Sequence, residues 1–271
     1  MKWPGGKRWL ASELLGLFPA KSKRYYEPFL GGAAMFFALR PPASVLSDTN
    51  IELINCYEQV RDDYERVLRA LRRLRNTEAN YYRVREQDPT GAVERAARLL
   101  FLTTLSFNGI FRQNLEGVFN VPYGHKTHVD PADPVKIRAA SEALRNSTLV
   151  CADFEAATKT ARAGDLVYFD PPYTVAHGNN GFVKYNAKIF SWDDQIRLAA
   201  TAERLSERGC FVFISNADHG SIRQLYRRFD VMTIERHSKI AASRMFRKAI
   251  TECLFFNSGV LHARVAECSG A

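Results

Sequence analysis

Leu166-Val167-Tyr168-Phe169-Asp170-Pro171-Pro172-Tyr173 reads as a buried strand with a stiff acidic corner at its end. Four apolar residues in a row, β-branched and aromatic among them, match a strand covered on both faces, and a carboxylate follows at once. The two prolines stiffen the turn and remove two backbone donors, which leaves the nearby carbonyls aimed outward. A carboxylate, outward carbonyls and an aromatic ring are thereby held together beyond a strand. Such a corner suits a planar amine: carboxylate and carbonyl accept its two hydrogens, and the ring stacks on its face.

Other segments repeat the theme. Thr148 to Cys151 reads as a strand closing on Asp153, Val45 to Ser47 as one closing on Asp48, and Tyr25 to Phe29 as one running into Gly31-Gly32. Helical composition follows at Ala33 to Leu39, Val93 to Leu105, Val135 to Leu144 and Asp193 to Arg208. From about Ile51 to Arg85, the spacing of Leu53, Tyr57, Val60, Tyr64, Val67, Leu68 and Leu71 predicts an amphipathic helix. Cys210 to Ile214 is a further strand, and Leu254 to Asn257 a last one near a sheet edge. Ser215 and Asn216 then end a strand or belong to a turn. Strands alternating with helices predict an α/β sheet with ligands at the strand carboxyl ends.

The alternation lapses over residues ~53–133, which reads as an inserted, mostly helical subdomain. Within it Phe107 to Val129 holds glycines, asparagines, aromatics and Pro122, the composition of turns and a hairpin. Residues 1–52 and 134–271 then form one catalytic domain around that insertion.

The 271 residues carry 46% hydrophobic and 25% charged side chains, ordinary globular composition that excludes general disorder. A net charge of +9 suits a polyanionic partner. It concentrates at Lys2, Lys7, Arg8, Lys21, Lys23 and Arg24, and again between Arg223 and Lys248. The arginines from Arg61 to Arg85 are instead interleaved with acids, the mark of an exposed helix with internal ion pairs. The five cysteines are scattered with no CxxC pair, which argues against a disulfide framework and a zinc site. Without a signal-peptide core or an apolar stretch near the ~20 residues of a membrane span, a soluble protein of a reducing compartment is expected.

Gly31-Gly32-Ala33-Ala34-Met35 lacks the GxGxxG spacing of a dinucleotide site, so a dehydrogenase is set aside. Glycines at a strand end still let a ligand approach the backbone, and an acid there binds a ribose diol or a cationic amine. Asp48 has a second reading, as the cap of a helix starting near Asn50.

The chain resembles the Dam-type DNA adenine-N6 methyltransferases, which use S-adenosylmethionine. The motifs that carry the resemblance occur in the family's order: Lys2-Trp3-Pro4-Gly5-Gly6-Lys7, Glu27-Pro28-Phe29-Leu30-Gly31-Gly32, Asp48-Thr49-Asn50, Phe107-Asn108-Gly109 through Arg112 and Asn114, Phe119-Asn120-Val121-Pro122-Tyr123-Gly124, Asp170-Pro171-Pro172-Tyr173, and Ile214-Ser215-Asn216. They run from residue 2 to about 216.

The resemblance implies a Rossmann-like methyltransferase sheet with helices on both faces, and an inserted DNA-recognition subdomain. It implies methyl transfer from S-adenosylmethionine to the N6 amine of an adenine flipped out of duplex DNA, by direct in-line displacement, with GATC as the family's common site. Asp170, Pro171, Pro172 and Tyr173 would be catalytic and hold the target base. Trp3, Lys7, Glu27, Pro28, Phe29, Gly31, Asp48, Asp153, Phe154 and Asp170 would bind the cofactor. Phe107, Asn108, Arg112, Asn114, Asn120, Pro122, Arg244 and Arg247 would face DNA, with Arg112 suited to a bidentate contact with guanine. Arg112 also has a local reading, paired with Glu116 four residues on.

No metal is implied, and His125 with His128 reads as a surface pair. A monomer is expected, in the cytoplasm of a bacterium or archaeon or encoded by a phage, at the nucleoid. Ala33 stands where the family often has a second glycine, and the loop from Thr174 to Ile189, with Phe182 and Tyr185, matches only loosely. Two rivals remain at this point: an RNA or protein-amide methyltransferase built on the same corner, and a non-catalytic DNA-binding module.

Overall fold

The computed structural model describes residues 3, 11, 14–19, 21–114, 117–174, 190–237 and 249–257. Among them, β1 (Tyr25–Glu27), β2 (Ser44–Asp48), β3 (Ser147–Cys151), β4 (Leu166–Phe169), β5 (Phe211–Ala217), β6 (Asp230–His237) and β7 (Ala249–Phe256) make one sheet in the order β3-β2-β1-β4-β5-β7-β6. The pairs β1–β4, β4–β5 and β2–β3 are parallel, and β7 runs antiparallel to β5 and β6. The strand order reverses between β1 and β4, and in open α/β sheets that reversal is where ligands lie beyond the carboxyl ends. The predicted mixed α/β class is the observed one.

The chain divides into two compact units, residues 1–15 with 30–152 and residues 16–29 with 153–271. The predicted insertion, 53–133, falls inside the first. There β2 and β3 pair from Ser44 opposite Ser147 to Asp48 opposite Cys151, with the Ser44 hydroxyl donating to the Ser147 hydroxyl at 2.8 Å. Helix α1 (Ala34–Leu39) follows the glycine turn, and α2 (Ile51–Arg72) starts at Asn50, whose side chain accepts from the Leu53 amide at 3.0 Å.

The single helix expected over 51–85 is a correction. Asp63 leaves helical geometry (φ −150°, ψ 59°) inside α2, and its carboxylate accepts from the Arg66 amide at 3.2 Å, as an N-cap does. The chain then turns through 73–77, and Thr77 caps a separate α3 (Glu78–Glu86). Helix α4 (Ala92–Leu105) buries Ala96, Ala97, Phe101, Leu102 and Leu105. Asp133 and Pro134 open α5 (Pro134–Leu144), Asp133 accepting from the Val135 and Lys136 amides.

In the second unit, β4 is buried at all four positions, as its sequence predicts. Tyr25, Tyr168, Phe169, Phe213, Tyr226 and Phe255 are buried side chains of its core. Among the described residues it also holds helices α6 (Phe154–Ala157), α7 (Trp192–Glu207) and α8 (Gly220–Leu225), α7 starting in a reciprocal Ser191–Asp194 capping box. The last strand is longer than predicted and lies near a sheet edge, as expected: β7 sits between β5 and the edge strand β6. Ser215 and Asn216 belong to the buried interior of β5, not to a turn.

Candidate active site

Glu27 and Asp170 mark the carboxyl ends of β1 and β4, the two strands at the reversal. Asp170 and Tyr173 are half-buried and Pro171 is buried. Beside them the buried Tyr25 hydroxyl donates to Glu27 Oε2 at 2.9 Å, and the Tyr168 hydroxyl donates to Ser215 Oγ at 3.1 Å. Burial pushes the Tyr25 phenol well above its ordinary pKa, and Glu27, Tyr168 and Asp170 push it further. The phenol therefore keeps its proton, which anchors a carboxylate that is only 3% exposed.

Phe29 continues from β1. Its ring stacks on Phe154 at 5.6 Å and 27°, and Phe190 meets it edge-on at 5.4 Å. Phe154 is buried, with the Arg197 guanidinium 4.6 Å from its ring centre. Arg197 also donates to Asp153 at 2.7 Å and to Asp194 at 3.0 Å, while the other Asp153 oxygen caps α6 through the Glu155 amide. Phe154 is thus a neighbour of Phe29, and both Asp153 and Phe154 are engaged by Arg197.

The first unit holds a separate cluster. Gly31 has φ +44°, and a Cβ on it would lie 2.8 Å from Cδ1 of Trp3, so no side chain fits without moving that ring. The Gly31 amide donates to Asp48 Oδ2 at 3.0 Å, the Asn50 amide donates to Asp48 Oδ1 at 3.0 Å, and the Tyr57 hydroxyl donates to the Gly31 carbonyl at 2.9 Å. Burial raises the Asp48 pKa, and the amides of Asn50, Gly31 and Thr49 oppose that rise. Asn50, not Asp48, is the side chain that caps α2, so Asp48 organises the turn between β2 and the helix. Trp3 stacks on Phe111 at 4.6 Å and 14°.

The segment after α4 folds back on itself, as predicted. Ser106 bridges Tyr123 and Gln113 bridges Phe119, both antiparallel. Asn108 and Gly109 take positive φ, 53° and 68°. Phe119, Val121 and Tyr123 are buried, whereas Phe107, Asn108, Asn114 and Pro122 are exposed. Arg112 is half-buried and its Nε donates to Asn120 Oδ1 at 2.8 Å, so Asn120 orients the guanidinium.

The sequence profile of the D12 class N6 adenine-specific DNA methyltransferases matches residues 3–240. Type II methyltransferase M1.LlaDCHI of Lactococcus lactis subsp. cremoris is 38% identical over 268 residues, 95% of this chain and 94% of its own. Type II methyltransferase M.MjaIII of Methanocaldococcus jannaschii is 32% identical, covering 90% and 91%. The DNA adenine methylase of Escherichia coli K12 is 32% identical over 96% of each chain. A precorrin-6y C5,15-methyltransferase of Geobacter metallireducens aligns at TM-score 0.39 and 9% identity over 92% of this chain and 86% of its own, a likeness too low to carry any residue across.

The chain belongs to the D12 class.

It is accordingly an adenine-specific DNA methyltransferase, and the RNA, protein-amide and non-catalytic readings fall away. Of the residues the motifs single out in this D12-class enzyme, Lys7, Arg244, Arg247 and the loop residues 175–189 lie outside the described set, as does Glu116, the alternative partner of Arg112. Three contributors escaped the sequence reading. Tyr57 read only as part of an apolar helix face, Phe111 lay unnamed among the aromatics of Phe107 to Val129, and Arg197 lay unnamed in the helical stretch Asp193 to Arg208. The i,i+3 spacing of Asp194 and Arg197 was the available signal for the last. Among the described residues no cluster of three or more His, Cys, Asp or Glu is placed to hold a metal, and no helix is long and apolar enough to cross a membrane.

Proposed function

We propose that this D12-class enzyme transfers a methyl group from S-adenosylmethionine to the N6 amine of an adenine extruded from duplex DNA. The observation that carries this reading is the acidic Asp170-Pro171-Pro172-Tyr173 corner directly beyond β4, at the reversal of strand order. The residues fit an S-adenosylmethionine ligand: the Gly31 turn has no room for a side chain of its own, and Asp48 is a half-buried carboxylate held by backbone amides. Asp48, Gly31 and Trp3 would hold it, with Glu27, Pro28, Phe29, Asp153 and Phe154. When bound, it supplies a methyl group activated on a sulfonium.

An adenine amine is a weak nucleophile because its lone pair is delocalised into the ring. The Asp170 carboxylate and the Pro171 carbonyl accept its two hydrogens, which favours a pyramidal nitrogen with its lone pair turned out of the ring plane. Tyr173 stacks on the base and offsets part of the few kcal/mol that extrusion costs. As the nitrogen becomes positive, the fixed Asp170 carboxylate stabilises it.

Residues 53–133 read the DNA, with Phe107, Asn108, Arg112, Asn114, Asn120 and Pro122 on the contacting hairpin. GATC is the proposed site, Arg112 reading a guanine through its terminal guanidinium edge. Arg112→Ala is expected to lose about 1–3 kcal/mol of discrimination at one base pair. Competition between duplexes differing at single positions measures this, and an unchanged preference removes Arg112 from base reading. The proposal as a whole is tested by supplying labelled cofactor and duplex DNA and mapping the methylated base. Label on cytosine, or none, overturns it.

A further inference from the structure

Asn76 lies in the turn between α2 and α3, far in sequence from the hairpin, yet its amide is spent on the hairpin's return leg. Its Nδ2 donates to the carbonyls of Lys126 at 2.9 Å and Val129 at 2.8 Å, with Thr127 at 3.5 Å on the margin. Its Oδ1 accepts from the Tyr123 hydroxyl at 2.7 Å. One side chain thus fixes residue 123 and both ends of 126–129. From the other side, Lys126 Nζ donates to the Thr104 and Ser106 carbonyls, which tie the same leg to the end of α4. Gly124 completes the seat: its amide donates to the Leu105 carbonyl at 2.8 Å, and a Cβ there would meet the Ser106 and Leu105 carbonyls within 3.0 Å.

The leg so pinned continues into the residues that carry the contacts. Tyr123 is paired with Ser106, just before Phe107, and the Phe107 amide donates to the Pro122 carbonyl at 2.9 Å. The Val121 carbonyl is held by the Tyr81 hydroxyl at 3.0 Å, and the Asn120 amide returns to the Arg112 carbonyl at 3.1 Å. A fixed reference at one end therefore sets where Pro122, Asn120 and Arg112 stand. A base contact tolerates little error in position, so this fixation bears on sequence discrimination.

We infer that Asn76 is a positioning residue for DNA sequence discrimination, acting through Tyr123 and the 126–129 leg. This rests on the proposed DNA-reading role of the hairpin. The test uses the full chain with Asn76→Ala, Asn76→Asp and Tyr123→Phe. Asp keeps the acceptor for Tyr123 but removes both donors and turns charge onto carbonyls, while Phe removes one bond.

Duplex affinity is read by fluorescence anisotropy, without turnover, on the cognate site and on single-base variants of it. S-adenosylmethionine affinity, thermal midpoint and kcat at saturating cognate duplex are read beside it. Asn76→Ala and Asn76→Asp should cut the cognate preference about ten-fold, and Tyr123→Phe by less, with kcat and cofactor affinity within about two-fold of wild type. An unchanged preference in Asn76→Ala overturns the inference. So does a fall in preference, kcat and cofactor affinity together, the signature of a merely weakened fold. Should Asn76→Ala not fold, unchanged preference in the other two overturns it equally. A wild type that shows no preference among duplexes sinks the hairpin's reading role itself, a distinct result.

Discussion

Asp170→Ala should abolish methyl transfer while leaving duplex affinity within about three-fold of wild type, well under the tenfold that 1.4 kcal/mol represents. The side chain stands beyond β4, in a chain segment whose shape is set by two prolines and not by the carboxylate. In the proposed mechanism its loss removes one of two acceptors for the amine hydrogens, and with it the only charge in that corner tetrapeptide. Losing one preorganised electrostatic group commonly costs about 2.7–4 kcal/mol, or about 10²–10³ in rate. In the proposed mechanism pyramidalisation of the nitrogen also depends on it, so the larger end is expected. Single-turnover transfer of labelled methyl measures the rate, and anisotropy the affinity. A variant keeping a tenth of the activity removes Asp170 from the catalytic role.

Asp48→Asn is the second large effect. The asparagine oxygen still accepts from one of the Gly31 and Asn50 amides, so the turn persists, but the charge is gone. A hydrogen bond to a charged group contributes about 1.5–3 kcal/mol, so affinity for S-adenosylmethionine should fall by about 10- to 150-fold. Titration calorimetry without DNA measures it, and unchanged affinity refutes the assignment.

The pH behaviour has two signs. Because burial raises the Asp48 pKa, its charge is lost on acidification earlier than that of an exposed aspartate, and on the proposed cofactor role of Asp48 affinity for S-adenosylmethionine should weaken there. Stability moves the other way. The folded chain holds this proton more tightly than the unfolded one, so between the two pKa values stability falls as pH rises. Asp48→Asn should remove that slope. A buried charge that costs stability in the ligand-free protein is a common sign of a functional site.

The parts of this fold most legible in sequence were those whose local chemistry has a single solution. Leu166 to Phe169 can hardly be other than a buried strand, and the observed bounds match. The glycine turn and Asp48 were placed together by their motifs, and the structure joins them through one amide. The 51–85 stretch failed because apolar spacing continues smoothly past Asp63 and past 73–77. Neither break carries glycine or proline; each is made by a side chain accepting a backbone amide, which periodicity does not register. The strand β6 was missed because an edge strand exposes apolar residues such as Val231 and Met232 beside charges, which blurs alternation. Contacts such as Asn76 with the 126–129 leg join residues about 50 apart, and no local pattern encodes them.

The place of β7 has a consequence for how the protein is made. Because Ala249–Phe256 is inserted between β5 and β6, the ribosome must release almost the entire described chain before β5 gains its second neighbour. Until then a nascent polypeptide displays a bare ladder of N–H and C=O groups along Phe213 to Ala217, a template for mispairing with other chains. The second unit is therefore finished after translation has passed Phe256, and messages cut short before Ala249 should yield insoluble product.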